Sequence, residues 1–404
     1  MKPEQAVAVA PPTDPAAPRL DGVRVSIVLK WAGLGGAERQ ALVLARHLQE
    51  SEGAVVEVRA LSDADGRAAA LFREAGIPWL ARRSRWRGSR PRTVARLATA
   101  TAALRRSRPD VLLPYCDVPN VVCGLIWRRV GARTCIWNQR DTLPFTLHES
   151  FVRRAIGATP VLVANSHHGA DLLATRGAPR DRVRVIANGA ALARARMPRG
   201  EWRRRLHVAD DAVVVTALAH FYERKDHETL LGGWRRTLAE AGADRGRLTL
   251  VLAGRSEGRL QLLETLARDH GIYDRVRFVG DVEDVAGLLD ASDVGVLCSS
   301  AEGCPNAVLE YMAAGLAVVG TDVVGIRGTL GDNGRPFLVP RADSEALGST
   351  LALVCSDSAL RDRLGKENRA RQRALFSKEQ MLEQTVLAIL DGLGASALSR
   401  RARR

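Results

Sequence analysis

Residues 299–315, Ser-Ser-Ala-Glu-Gly-Cys-Pro-Asn-Ala-Val-Leu-Glu-Tyr-Met-Ala-Ala-Gly, place a turn and a helix start directly after the apolar run Val-Gly-Val-Leu at 294–297. Pro305 suits the first helical turn, where its missing N–H would be unpaired in any case, and Gly315 suits the exit. The N–H groups of Cys304, Asn306 and Ala307, at the positive end of the helix dipole, then form an anion site at the carboxyl edge of a sheet. Such a dipole contributes about 0.3–1 kcal/mol to a nearby anion. Glu302 falls in the turn and Glu310 on the helix, and both can face a ligand there. Two acids at this spacing, met alone, read as solvated surface residues; their place between a strand, a turn and a helix start gives them a chemical reading.

Two further stretches point the same way. In Ala-Leu-Ala-His-Phe-Tyr-Glu-Arg-Lys-Asp-His-Glu-Thr-Leu-Leu, 217–231, Lys225 follows the first strand-like run of the C-terminal half. Ends of strands in one parallel sheet open on one crevice, so Lys225 and its neighbour Arg224 can meet the same anion as the 302–310 segment. In Lys-Trp-Ala-Gly-Leu-Gly-Gly-Ala-Glu-Arg-Gln, 30–40, Gly35 and Gly36 turn the chain tightly after the first strand-like run and can bring N–H groups close to a ligand. The pattern is not G-x-G-x-x-G, because Glu38 takes the last glycine position, so dinucleotide-dependent oxidoreduction loses its main support.

Together these stretches resemble the retaining glycosyltransferases of family 4, whose GT-B fold sets two Rossmann-like domains with parallel sheets facing across a cleft. The resemblance spans about residues 23–375 and is strongest in the C-terminal half. It implies a nucleoside diphosphate sugar as donor, a saccharide or lipid-linked hydroxyl as acceptor, retention at the anomeric carbon, and neither cofactor nor metal. Glu302 would lie by the transferred sugar and Glu310 on the ribose. The turn Gly303, Cys304, Pro305, Asn306 would hold sugar hydroxyls and phosphate. Lys225 would neutralise the departing diphosphate, approached also by Gly35 and Gly36. His220 stands where the family often has an arginine; it can donate a hydrogen bond, or Arg224 can supply the second charge. The usual acid after Asn188-Gly189 is missing, and the customary glutamate near Gly328 is replaced. On the acceptor side, Asp117 in Tyr-Cys-Asp-Val-Pro-Asn and Asp141 in Asn-Gln-Arg-Asp are candidates, with Asp117 preferred as the catalytic one. Two alternatives stay open: a GT-B isomerase or phosphorylase, and a non-catalytic scaffold that binds sugar nucleotides.

Strand-like runs alternating with helical periodicity position these residues. One series runs from 23 to 187 and predicts an acceptor domain; a second, from 201 to 376, predicts the donor domain. Between them, 188–200 reads as linker. A C-terminal helix over 377–394, expected to pack back on the N-terminal domain, and a basic tail over 395–404 follow a disordered N-terminal tail over 1–22. The pair Asp63 and Asp65 offers a metal-binding DxD reading, as do His148, His167 and His168 a ligand cluster, but a solvated turn and divergent helix faces account for them better. The six cysteines lack paired C-x2-C spacing and read as reduced, mostly buried thiols.

A net charge of +15 requires an acidic partner to be considered. Aromatic content of 4%, without regular interleaving of aromatic and basic residues, argues against nucleic acid. Arg82, Arg83, Arg85, Arg87, Arg90 and Arg92 around Trp86 predict contact with an anionic membrane surface. The expectation is a cytoplasmic protein, peripheral on the inner membrane face.

Overall fold

The computed structural model describes residues 18–62, 65–81, 86, 90–140 and 145–401. Residues 1–17 of the N-terminal tail, Asp63, Asp141, Arg82, Arg83, Arg85 and Arg87 therefore lie outside the described residues, whereas 18–22, expected to be disordered with them, are packed, with Leu20 buried and Arg19 paired with Glu52. Strands and helices alternate as the periodicity predicts. They begin β1 (Arg24–Leu29), α1 (Gly36–Glu50), β2 (Val55–Ala60), α2 (Arg67–Glu74), β3 (Trp79–Ala81), α3 (Arg90–Ser107), β4 (Val111–Pro114), α4 (Asp117–Val130) and β5 (Thr134–Gln139). Next come α5 (Glu149–Ala158), β6 (Val161–Ala164), α6 (His167–Ala174), β7 (Val183–Val185) and α7 (Arg199–Arg205). The second series is β8 (Val213–Leu218), α8 (His227–Ala241), β9 (Leu248–Ala253), α9 (Leu260–Asp269), β10 (Val276–Gly280), α10 (Val285–Asp290) and β11 (Val294–Leu297). It continues with α11 (Asn306–Ala314), β12 (Ala317–Thr321), α12 (Val324–Gly334), β13 (Leu338–Val339), α13 (Ser344–Ser356), α14 (Ser358–Leu375) and α15 (Lys378–Arg401).

These strands form two parallel sheets flanked by helices, the architecture of two Rossmann-like domains. The orders are β3-β2-β1-β4-β5-β6-β7 and β10-β9-β8-β11-β12-β13. In each, the first strand of the series sits inside the sheet, and the order reverses beside it: between β1 and β4, and between β8 and β11. Loops leaving the carboxyl ends of two such strands diverge to opposite faces, and the gap between them is where ligands of open α/β sheets bind.

The two sheets part between β7 and β8, the stretch that contains 188–200, while by packing the chain groups into two compact units that divide within β5. One compact unit holds residues up to Ile136 together with the last part of α15, where a Cβ on Gly392 would meet Thr134 and Ile136. The other holds Trp137–Gly157 and Val161–Leu387.

Local sequence explains where the helices of the second unit start. Asp226, Asp284, Asp343 and Asp357 cap α8, α10, α13 and α14, each accepting a hydrogen bond from a first-turn N–H. Such caps contribute about 1 kcal/mol apiece. Beneath them Trp234, Leu231, Leu250, Val296 and Leu351 form one core cluster. Glycines bring α8 and α13 together: a Cβ on Gly233 would lie 2.9 Å from Leu347, and Thr237 Oγ1 donates to the Gly348 carbonyl at 3.1 Å.

Two sequence expectations change. Pro305 is the extended N-cap of α11 rather than a residue of its first turn, because the helix begins at Asn306. Trp86 is buried, only 7% exposed, so its ring does not face outward as a membrane anchor; Arg92 beside it in sequence is exposed. No helix among the described residues is long and apolar enough to cross a membrane.

Candidate donor site

The order reversal between β8 and β11 is held open by one side chain. β8 and β11 pair only at Val215 with Val294 and Thr216 with Gly295. Beyond that point Tyr311 of α11 inserts its ring against Gly295, where a Cβ would lie 2.4 Å from the ring. Its buried hydroxyl accepts the Leu218 N–H at 2.6 Å and donates to the Val296 carbonyl at 3.2 Å. Tyr311 thus satisfies backbone groups of both strands as they part. Burial, the main cause, pushes the Tyr311 hydroxyl far above the usual tyrosine range.

Lys225 and Glu302 come from the two diverging loops. After β8 the chain passes through Ala219 and His220 to a 3-10 turn over Glu223–Lys225. After β11 it passes through Ser299 and Ser300 to Glu302. The Ser300 N–H donates to the Arg224 carbonyl at 2.9 Å, and Lys225 Nζ lies 2.5 Å from Glu302 Oε1. Both side chains are mostly buried, so this pair is better shielded than a surface ion pair. Thr321 Oγ1 fixes the same loop by donating to the Ser299 carbonyl at 2.7 Å. Gly325, in the first turn of α12, is required by close approach: a Cβ there would stand 2.3 Å from the Glu302 carbonyl oxygen.

The Gly303–Asn306 turn is held from another direction. Asn188 Nδ2 donates to the Cys304 carbonyl at 2.8 Å and to Asn306 Oδ1 at 2.9 Å. Arg140 Nη1 donates to Asn188 Oδ1 at 2.8 Å, and Asn165 Nδ2 donates to the Arg140 carbonyl at 3.1 Å. Gly303 passes Asn165 so closely that a Cβ would lie 2.9 Å from its Oδ1. Cys304 is buried and, mainly for that reason, its thiol is pushed up to about 11. It is a packing thiol, not a nucleophile.

His220 is turned inward. Its Nδ1 accepts the Arg255 N–H at 3.1 Å, which leaves the proton on Nε2 and the ring without charge. Gly254 makes this approach possible, since a Cβ would stand 2.1 Å from the Ala219 carbonyl oxygen. Behind Lys225, His227 is buried against Phe221 with ring centroids 4.9 Å apart. Burial first, then the charges of Lys225 and Arg259, lower it to about 4. Glu310 is half-buried on α11.

The structure thus brings together Lys225, Arg224, Glu302, Gly303, Cys304, Pro305 and Asn306 at one edge, with His220 at the exit of the adjoining strand. Asn165, Arg140, Gly254, Gly325 and Tyr311 support them without having been singled out by motif, as does Asn188, noted in sequence only for the acid missing after Asn188-Gly189. Gly254 and Gly325 each follow the end of a strand, which was the available signal; the others carried none.

Gly35, Gly36 and Asp117 belong to the other unit, at the reversal between β1 and β4. Gly35 caps α1, and its N–H donates to Glu38 Oε2 at 3.0 Å. Glu38 also accepts from the Trp31 indole at 3.2 Å, so the acid that spoils the dinucleotide pattern fastens the glycine loop. The Gly35 amide expected to meet a ligand is thereby engaged within the loop. Asp117 is the buried first residue of α4.

The chain also matches known proteins in sequence and fold. Residues 34–194 match the sequence pattern of Glycosyltransferase Family 4, and residues 211–357 match that of Glycosyl transferases group 1. The chain belongs to the family 4 glycosyltransferases. It is 29% identical over 284 residues to the lipopolysaccharide core biosynthesis glycosyltransferase LpsE of Rhizobium meliloti, covering 69% of this chain and 75% of that protein. It is 32% identical over 229 residues to the D-inositol 3-phosphate glycosyltransferase of Geodermatophilus obscurus, covering 55% of this chain and 48% of the relative. Among solved structures, Anabaena HepE in complex with UDP and glucose superposes with a TM-score of 0.77 at 18% identity, over 91% of this chain and all of that one. This glycosyltransferase therefore has the GT-B fold.

Proposed function

We propose that this glycosyltransferase moves a sugar, with retention, from a nucleoside diphosphate sugar to an acceptor hydroxyl in the assembly of a bacterial polysaccharide or glycolipid. The observation that carries the reading is the Lys225–Glu302 pair at the β8–β11 reversal, beside the start of α11. The family relatives that act in lipopolysaccharide core synthesis, and the solved neighbour holding UDP and glucose, support it.

In this mechanism the bond between the anomeric carbon and the diphosphate breaks, and a bond from that carbon to the acceptor oxygen forms on the same face. The acceptor proton passes to the departing phosphate oxygen. Lys225 and the amides opening α11 stabilise the charge that develops on that phosphate; each such donor is typically worth about 100- to 1,000-fold in rate. Glu302 faces the sugar and Glu310 the ribose. Fixed positive groups serve in place of a metal, so turnover should survive EDTA. Asp117 is proposed on the acceptor side, where a dedicated base is not required. The basic segment ending at Arg92 is proposed to hold the enzyme at an anionic inner membrane surface through charge alone; equal flotation with neutral and anionic vesicles at low salt would refute that part.

The test is a panel of UDP-, GDP-, ADP- and TDP-sugars, followed by thermal shift and diphosphate release, on wild type and three variants. Lys225→Ala should weaken both free diphosphate and intact donor. Glu302→Gln should leave nucleotide affinity at or above the wild-type level while transfer falls. Glu310→Ala should lower nucleotide affinity. Wild-type affinity and turnover in all three folded variants would overturn the assignment.

A further inference from the structure

Trp31, in the loop after β1, is 43% exposed, whereas Trp79, Trp86, Trp137, Trp202 and Trp234 are buried. An exposed tryptophan is ordinarily free to swing, but this one is held. Its indole N–H donates to Glu38 Oε1 at 3.2 Å, and Glu38, itself buried, takes the Gly35 N–H on its other oxygen at 3.0 Å. One side of the ring also rests on the loop, since a Cβ on Gly33 would lie 3.6 Å from two ring atoms. What remains open is aromatic surface in a fixed orientation, at the carboxyl end of β1.

That end is the reversal between β1 and β4. Val28 pairs with Pro114, and the Tyr115 N–H donates to the Val28 carbonyl at 2.9 Å, so the Trp31 loop and the Cys116–Asp117 turn leave neighbouring strands at the same level. Cys116 there takes φ 64° and ψ −173°, a conformation ordinarily open only to glycine, and Asp117 follows as the buried first residue of α4. Strain of this kind collects at ligand sites. The indole decides the kind of ligand. A sugar ring carries weakly positive C–H groups on one face and hydroxyls round its edge. It can lay that face on the negative face of an aromatic ring and keep its hydroxyls for hydrogen bonds. A phosphate gains nothing from an indole, and an acyl chain needs a wider apolar surface than one side chain offers.

We propose that Trp31 is a stacking platform for a sugar ring of the acceptor, held in place by Glu38 and Gly33 at the β1–β4 reversal. The inference rests on the transfer reaction proposed above and narrows its acceptor to a saccharide. Because the ring is already fixed, little side-chain freedom is lost when the sugar binds.

Binding of the full chain is read on a printed array of bacterial oligosaccharides, and the best-bound member is titrated against wild type, Trp31→Ala, Trp31→Leu and Trp31→Phe. Affinity for UDP, GDP, ADP and TDP, and for the nucleoside of whichever binds, is measured alongside. Trp31→Ala and Trp31→Leu should weaken the oligosaccharide at least about tenfold, and Trp31→Phe, which keeps an aromatic face, should recover part of the loss. Nucleotide affinity should stay at the wild-type level, and thermal melts should show all three variants folded. Wild-type oligosaccharide affinity in Trp31→Ala overturns the proposal, as does a wild type that binds a nucleotide but no saccharide; in both cases the donor-site reading stands. Equal losses in Trp31→Phe and Trp31→Leu would make Trp31 a brace for Glu38, and a loss of nucleoside affinity would make it a platform for the base; either result overturns the proposal. A wild type that binds neither nucleotide nor saccharide would sink the proposed transfer as well.

Discussion

Replacing Tyr311 by phenylalanine removes one oxygen and leaves the ring that fills the space over Gly295. The Leu218 N–H and Val296 carbonyl lose the hydroxyl that lies 2.6 and 3.2 Å from them. A buried donor left unmet costs about 1–3 kcal/mol, and the carbonyl, which has a second lone pair, adds at most about 1. The sum is about 1–4 kcal/mol. In a domain of 150–250 residues each kcal/mol moves Tm by about 2–4 °C, so Tyr311→Phe should melt about 2–16 °C lower by calorimetry or far-UV circular dichroism. Leu218 ends the strand that leads to Lys225, so affinity for a nucleoside diphosphate should fall in the same variant. A Tm within about 1 °C of wild type, together with unchanged affinity, would refute the idea that this hydroxyl holds β8 and β11 apart.

The remaining predictions probe other parts of the same edge. Gly325→Ala drives a methyl into the Glu302 carbonyl, which a Cβ would approach to 2.3 Å, so turnover should fall at least tenfold for an overpacking cost of about 1–3 kcal/mol in a urea melt. Because His227 is held at about 4, below its ordinary 6.5, the unfolded chain binds a proton in that window that the folded chain does not. Stability is therefore full above about pH 6.5 and drops towards pH 4, by up to about 3 kcal/mol; His227→Gln should flatten that slope in denaturant titrations at several pH values.

Much of this molecule was legible from residue pattern. Strands β6, β9 and β11 lie where the β-branched runs stop and start, because interior strands of a parallel sheet are apolar on both faces. The edge strands β3 and β13, of 3 and 2 residues, are too short to leave a periodic trace. The loop positions of Lys225 and Glu302 and the helix position of Glu310 were readable because strand, turn and helix signals fall in register around them; the roles given to them belong to the proposed function. The part played by Asn188 was not: Asn188-Gly189 stands in a stretch that resembles the family, but its partner carbonyl lies 116 positions away and nothing local names it. Trp86 shows the opposite failure. An aromatic among arginines reads as an interfacial anchor, yet tertiary packing buries it.

The Lys225–Glu302 contact also bears on selectivity. A lysine whose counter-ion is built into the protein is not an open trap for whatever anion is abundant nearby. Inorganic phosphate would have to draw Lys225 from a carboxylate 2.5 Å away while itself being repelled by that carboxylate. A sugar nucleotide meets the same carboxylate with hydroxyl groups that can donate to it, so the penalty turns into a contact. If the site takes the donor proposed above, the pair favours ligands that carry a diphosphate and a polyhydroxyl group on one molecule, and discourages either half presented alone.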